Sequence, residues 1–415
     1  MHAETQNNPI SEVAFQPITL KNRLRKIPAV IISPSKPRLI AIVGATSSAQ
    51  PLADEISKVR VAEKHGVSII ADVSTTDDIP EIQKRILEET SLPFTTVPLY
   101  EIYRKAKKSI SWNKTLSRDL VLDAIEAQAE RGVDCMTVHA SHCNDLLPLV
   151  KASSRRIKIQ GRGGGMIHEF MLSTGRENPL FEWFDDILHI LARYDVALSL
   201  GNCLRSGTVD DPIDELVKAE IATWSKLTTR ARAHGVKVMV EGGSHLRMSD
   251  IAPYVRSVSK KCFGAPLRML GPLATERGLG YDHISGAISA VEAIRSGVAL
   301  LTVITRAEHI GLPNEDELRE AIVAYRIAIE LATQPAESKK PDTTFTCGLG
   351  FEGLSADDFF DLEKAIELKS QKNEGDLNAC SICNEMCRMK ISPVRIAGDR
   401  QRIQDSHSDV IPNTP

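Results

Sequence analysis

VKVMVEGGSH, residues 236–245, reads as a short β-branched strand that runs straight into an acid, two glycines and a histidine. The same pattern recurs along the chain. Further strand candidates at 38–42, 68–73, 94–99, 134–139, 156–160, 197–200, 267–270 and 299–304 alternate with stretches of helical periodicity, the pattern of β and α units around a parallel sheet. Helices read at 51–65, 119–131 and 212–234, the last two closing on Gly132 and Gly235, residues suited to the left-handed position beyond a helix C-terminus. This is one run too many for an eight-stranded closed barrel: either 156–160, the least apolar, is a loop, or the first run lies outside the barrel.

The residues just past each strand decide between a barrel and an open sheet. Ser47, Asp72, Tyr100, His139, Arg162 with Gly163 to Gly165, Asn202, Arg205, Glu241, His245, Gly271, Glu308 and His309 all fall at C-terminal strand ends. In a (β/α)8 barrel those ends converge on one face, where the chemistry is built; an open doubly wound sheet gathers residues from only a few strands. We therefore expect an α/β fold, a (β/α)8 TIM-like barrel over residues 38–333. A small N-terminal extension (1–37) precedes it. Residues 334–395 hold a linker, a helical region within 356–372 and a cysteine motif, and 396–415 form a polar tail expected to be disordered.

The composition agrees with a folded, soluble chain. Of 415 residues, 42% are hydrophobic and 25% charged, enough apolar surface for a large core and incompatible with disorder throughout. Lys+Arg 51 against Asp+Glu 54 leaves a net charge of −3, which supplies no footprint for nucleic acid or an anionic membrane. No apolar run long enough to span a bilayer occurs and the N-terminus is polar, so a cytoplasmic protein with a small-molecule partner is expected.

Three features carry chemistry. Five of the eight cysteines (Cys135, Cys143, Cys203, Cys262 and Cys347) are scattered, but Cys380-x2-Cys383-x3-Cys387 brings three thiolates within reach of one centre. Structural zinc normally takes four protein ligands, whereas three cysteines on a four-iron cluster leave one iron open to a substrate or cofactor; both readings stand, the second fitting better. Such a segment lies outside the barrel and must fold over its active face. His245 and His309 end two different strands and together suit a divalent transition metal, although each alone reads more readily as a hydrogen-bonded structural histidine. Finally, Gly161-Arg162-Gly163-Gly164-Gly165 and the Arg205 turn offer backbone N–H groups and guanidinium groups to a phosphate, without the lysine pattern or dinucleotide fingerprint of the common nucleotide loops.

The blocks SLGNCLRSG (199–207), VMVEGGSH (238–245), LGPLATERGLGYDHISGAI (270–288), ITRAEHIGLPNEDEL (304–318) and CSICNEMCRMKIS (380–392) resemble the phosphomethylpyrimidine synthase family of thiamine biosynthesis and its paralogue, 5-hydroxybenzimidazole synthase of anaerobic cobalamin lower-ligand synthesis. Weaker matches extend the likeness over roughly 38–392. The resemblance implies a homodimeric radical S-adenosylmethionine enzyme of lyase type, with a [4Fe-4S] cluster on Cys380, Cys383 and Cys387 in a mobile loop. S-Adenosyl-L-methionine would bind the open iron and yield a 5′-deoxyadenosyl radical that acts on 5-aminoimidazole ribotide, with an electron donor such as flavodoxin or ferredoxin. Carried over by position, His245 and His309 match a second metal site, for zinc or iron. Ser47, Tyr100, His139, Arg162, Gly163, Asn202, Arg205, Glu241 and Tyr281 match substrate-binding positions, Glu241 and Tyr281 with catalytic roles.

This chain departs from the family at several points. The last two cysteines are one residue closer than the family's Cys-x2-Cys-x4-Cys; GDGLRPG becomes GNCLRSG at Asn202 and Cys203; EGPGH becomes EGGSH at Gly243 and Ser244; SRGGS becomes GRGGG; ATSS (45–48) stands for IGNS; and Ala71 replaces a methionine. Exchanging an acceptor-only aspartate for Asn202 alters how a ribose or intermediate is held. These changes lead us to expect the 5-hydroxybenzimidazole outcome, with phosphomethylpyrimidine synthesis as the alternative.

Overall fold

A computed structural model describes residues 14–47, 50–107, 116–211, 213–334, 359–372 and 382. In chain order the described elements are β1 (Ile18–Leu20), β2 (Val30–Ile32), β3 (Arg38–Val43), α1 (Leu52–Lys64), β4 (Ile69–Asp72), α2 (Ile79–Glu89), β5 (Phe94–Thr96), α3 (Pro98–Lys107), α4 (Arg118–Arg131) and β6 (Cys135–Val138). A 3-10 turn (Asn144–Leu146) then leads to α5 (Leu147–Ala152), α6 (Arg162–Thr174), α7 (Pro179–Glu182), α8 (Phe184–Tyr194), β7 (Ala197–Leu200) and α9 (Glu215–Ala233). β8 (Val238–Glu241), α10 (Met248–Lys261), β9 (Leu267–Leu270), α11 (Asp282–Arg295), β10 (Leu300–Thr302) and α12 (Glu315–Thr333) complete the first unit. Residues 335–415 form a second unit, in which α13 (Leu362–Lys372) is described.

β3 to β10 close into an eight-stranded parallel barrel in sequence order, shut where Leu300, Leu301 and Thr302 pair with Arg38, Leu39 and Ile40. Strands buried on both faces read as continuous apolar runs, which is why they were visible in sequence. The extra run, 156–160, is a loop: it has no strand partner, and Arg155 before it is buried in an ion pair with Asp214 (2.5 Å). Two strand expectations shorten, because Pro98 opens α3 and places Leu99 and Tyr100 in its first turn, and His139 lies just past β6.

The lower interior of the barrel, at the N-terminal ends of its strands, is apolar: Ile40, Ile69, Cys135, Ala197, Met239 and Leu300. It is sealed from below by the antiparallel pair β1–β2, whose Ile18, Leu20 and Ile32 join the same cluster. Asp134 clasps this segment, accepting from the Asn22 backbone N–H (2.6 Å) and from Arg25 Nη1 (2.5 Å). Higher up the interior turns polar, with Thr137, Ser199, Glu241, Arg268 and Thr302 all buried. No helix among the described residues is long and apolar enough to cross a membrane.

Candidate active site

The glycine-rich stretch 161–165 is the start of a helix. Gly161 caps α6, and Arg162 to Gly165 form its first turn, whose leading N–H groups have no helical acceptor and face the barrel mouth with the positive end of the helix dipole. Glycine is required there by space. A Cβ on Gly163 would stand 2.4 Å from His139 Nε2, and one on Gly164 would stand 2.4 Å from the Cys203 carbonyl oxygen. The Arg162 guanidinium lies over the Tyr100 ring, 5.3 Å from its centroid.

The second turn, 201–205, is fixed from both sides. Glu220 of α9 accepts from the Cys203 (2.5 Å) and Leu204 (3.1 Å) backbone N–H groups and the Ser141 hydroxyl (2.7 Å), while Arg155 donates to the carbonyls of Leu204 (2.7 Å) and Arg205 (3.2 Å). Burial pushes the Glu220 carboxyl up to about 7. What remains free is the Arg205 side chain, whose buried Nε has no hydrogen-bond partner among the described residues.

His139 stands at the centre of the mouth. Gly163 and Gly201 press on its ring, burial pushes its pKa down to about 4, and Glu241, Arg205 and Arg268 are the charges that act on it. It is therefore a neutral imidazole near pH 7, and its buried Nδ1 has no partner among the described residues. Tyr100 feels Arg162, Glu241 and Arg205, and desolvation raises its hydroxyl pKa. Tyr100, His139, Arg162, Gly163, Arg205 and Glu241 thus share one neighbourhood.

The two histidines, past β8 and β10, pair with one another. Their ring centroids are 5.6 Å apart at 52°. His245 Nδ1 is 3.0 Å from Glu276 Oε1, and His309 Nδ1 is 3.2 Å from Asp282 Oδ1. A carboxylate at Nδ1 draws the proton there and leaves Nε2 with its lone pair, the arrangement that orients metal-bound histidines. Desolvation lowers the His245 pKa, which favours the neutral ring that a metal needs. Among the described residues no group of three or more histidine, cysteine, aspartate and glutamate side chains is gathered for a metal.

Other expected residues lie differently. Ser47 sits on the exposed turn after β3. Tyr281, at the N-cap of α11, is 64% exposed on the rim beside the His309 partner Asp282. Asn202 is 3% exposed, and its Nδ2 donates to the Gly242 carbonyl (2.7 Å), tying two loops together. Cys380, Cys383 and Cys387 lie outside the described residues. Sequence reading missed Glu276 and Asp282, which only a distance of 31 or 27 residues folded back onto a histidine reveals, and Arg268, concealed in an apolar strand.

A (β/α)8 barrel that gathers a helix N-terminus, arginine side chains, a buried acid and imidazole, and a carboxylate-backed histidine pair at the C-terminal ends of its strands has the constitution of a barrel enzyme. The chain belongs to the Radical SAM ThiC family, whose model matches residues 12–393. It is 36% identical over 343 residues to Phosphomethylpyrimidine synthase of Carboxydothermus hydrogenoformans, covering 81% of this chain and 80% of that one. To Phosphomethylpyrimidine synthase of Natronomonas pharaonis it is 36% identical over 381 residues, covering 89% and 79%. Dihydropteroate synthase of Yersinia pestis aligns at 12% identity and a TM-score of 0.43, covering 75% of this chain and 97% of that one, a level that bears on neither mechanism nor substrate.

These relatives overturn the expectation of a 5-hydroxybenzimidazole synthase: both carry the name Phosphomethylpyrimidine synthase over most of the chain. The structure supplies a physical reason. Three of the substitutions behind that expectation have roles in the scaffold. Asn202 binds Gly242, Cys203 is buried in an apolar cluster with Leu204 and Leu216, and the Gly243 N–H is taken by the Tyr254 hydroxyl at 2.9 Å.

Proposed function

We propose that the protein is a phosphomethylpyrimidine synthase of thiamine biosynthesis, converting 5-aminoimidazole ribotide to hydroxymethylpyrimidine phosphate. One observation carries the reading. The relatives of that name cover 81% and 89% of this chain, and six of the positions matched by resemblance, Tyr100, His139, Arg162, Gly163, Arg205 and Glu241, share one neighbourhood. In this reading the first turn of α6 and Arg162 hold the phosphate, Arg205 supplies its unpartnered Nε to the ligand, and neutral His139, Tyr100 and Glu241 bind the sugar and ring.

Cys380, Cys383 and Cys387 would hold the [4Fe-4S] cluster, three thiolates matching a cluster with one open iron, and His245 and His309 would hold zinc or iron through Nε2. When bound, the cluster supplies the electron that cleaves S-adenosylmethionine. The protein's own residues do the rest: they orient the ribotide, exclude water from the polar interior and keep His139 uncharged. A one-electron donor of flavodoxin or ferredoxin type and homodimeric assembly belong to the same reading.

Anaerobically reconstituted protein with dithionite, S-adenosylmethionine and 5-aminoimidazole ribotide should release 5′-deoxyadenosine and hydroxymethylpyrimidine phosphate, read by mass spectrometry. A different heterocyclic product, or no 5′-deoxyadenosine with substrate present, would reject it. Elemental analysis of the same preparation should show the non-cluster metal lost in His245→Ala.

A further inference from the structure

Arg268 leaves β9 near its lower end and sends its side chain up the inside of the barrel. Its backbone pairs with Leu300, at the start of β10, yet its Nε donates to Thr302 Oγ1 (3.1 Å), two residues higher on that strand, and its Nη1 to Thr137 Oγ1 (3.4 Å) on β6, across the barrel. The guanidinium therefore crosses the barrel interior beneath the mouth, with the residue only 5% exposed. Its nearest anion is Glu241, whose Oε1 is 4.0 Å from Nη2. That is too far for a hydrogen bond. A buried guanidinium with five donors holds two hydroxyls and leaves an unclosed gap to a carboxylate directly under the site.

We infer that Arg268 and Glu241 together read the nitrogen-rich ring of the substrate, with Arg268 donating to a ring lone pair and Glu241 accepting from an N–H, so that Arg268 is a specificity-determining residue at the floor of the site. The alternative ligand for a buried cation, the phosphate, is disfavoured here because a dianion at this depth would lie against the Glu241 carboxylate. The first turn of α6 instead offers leading backbone N–H groups and the positive end of a helix dipole, a better seat for the dianion. A donor and an acceptor side by side suit a neutral heterocycle that offers both functions.

This inference rests on the proposed substrate, and two probes separate the two claims. Binding of 5-aminoimidazole ribotide and of ribose 5-phosphate, which has the sugar and phosphate but no ring, is measured by calorimetry on the full-length reconstituted protein and on Arg268→Gln. The variant should bind the ribotide about tenfold or more weakly and ribose 5-phosphate unchanged, as expected for losing a charged hydrogen bond to the ring alone. Equal weakening of both ligands, or no change in either, overturns the role of Arg268. Wild-type protein that binds ribose 5-phosphate but not the ribotide overturns the substrate itself. If Arg268→Gln loses its thermal unfolding transition, Arg268→Lys, which keeps the charge and much of the stem but not the planar fork, carries the same comparison.

Discussion

His139 refuses a proton that it would accept in an unfolded chain. Burial holds its pKa at about 4 against an ordinary 6.5, so between those values the unfolded state binds more protons and stability falls as pH drops through the window. His142 sits at about 4 for the same reason and adds to the fall. The urea midpoint of His139→Gln should therefore decline less steeply than wild type between pH 6.5 and 4.5. Glu220 works in the opposite sense. Its carboxyl is raised from 4.5 to about 7, chiefly by burial, so its contribution is complete at low pH and is lost as pH rises through 7. Glu220→Gln keeps an acceptor for the Ser141, Cys203 and Leu204 donors, so its stability relative to that of wild type should rise as pH increases from 5.5 to 8.5 in the same urea assay. At this scale the sequence was legible where a residue's position is set by its strand end, as with His139, Glu241, His245 and His309. It was opaque where the role depends on reach: Arg268 interrupts an apolar strand, and nothing local says that its guanidinium climbs the barrel to Thr137.

Elements follow local rules until a neighbour intervenes. Residues 155–160 (RRIKIQ) alternate like a strand, but Ile159 packs beside the cluster of Cys203 and Leu204, and the Arg155 ion pair with Asp214 pins the segment against the start of α9. A strand also needs an edge to pair with, and that is no property of its own sequence. The glycines of α6 give a paired test. Gly164→Ala drives a Cβ into the Cys203 backbone carbonyl, which cannot rotate aside; α6 must shift, and both thermal stability and ribose 5-phosphate affinity should fall. Gly165→Ala meets nothing within 4 Å, and should instead gain up to about 1 kcal/mol from helix propensity, read as a higher urea midpoint. The Gly-rich turn was expected from the sequence to be an anion seat. That it is the first turn of a helix was hidden by composition, since three successive glycines are poor helix formers, and only packing against His139 and Cys203 makes them serve.

For the whole molecule, the order of β3 to β10 around the barrel follows directly from the alternation of strand and helix, whereas the closure of its lower end does not. β1 and β2 are three residues each, too short to announce themselves, and they matter through Leu20 and Ile32, both fully buried. Leu20→Ala should cost roughly 2–5 kcal/mol by leaving a cavity beneath Ile40 and Leu300, measured as a loss in the free energy of urea unfolding. The plug also gives the barrel a topology of traffic. Among the described residues the lower end is stoppered by hydrocarbon, so in the proposed reaction substrate and product share the doorway at the opposite end of the barrel. Turnover then obeys a strict order of visitors: product must leave before the next substrate enters, and a tight-binding product would act as a cork.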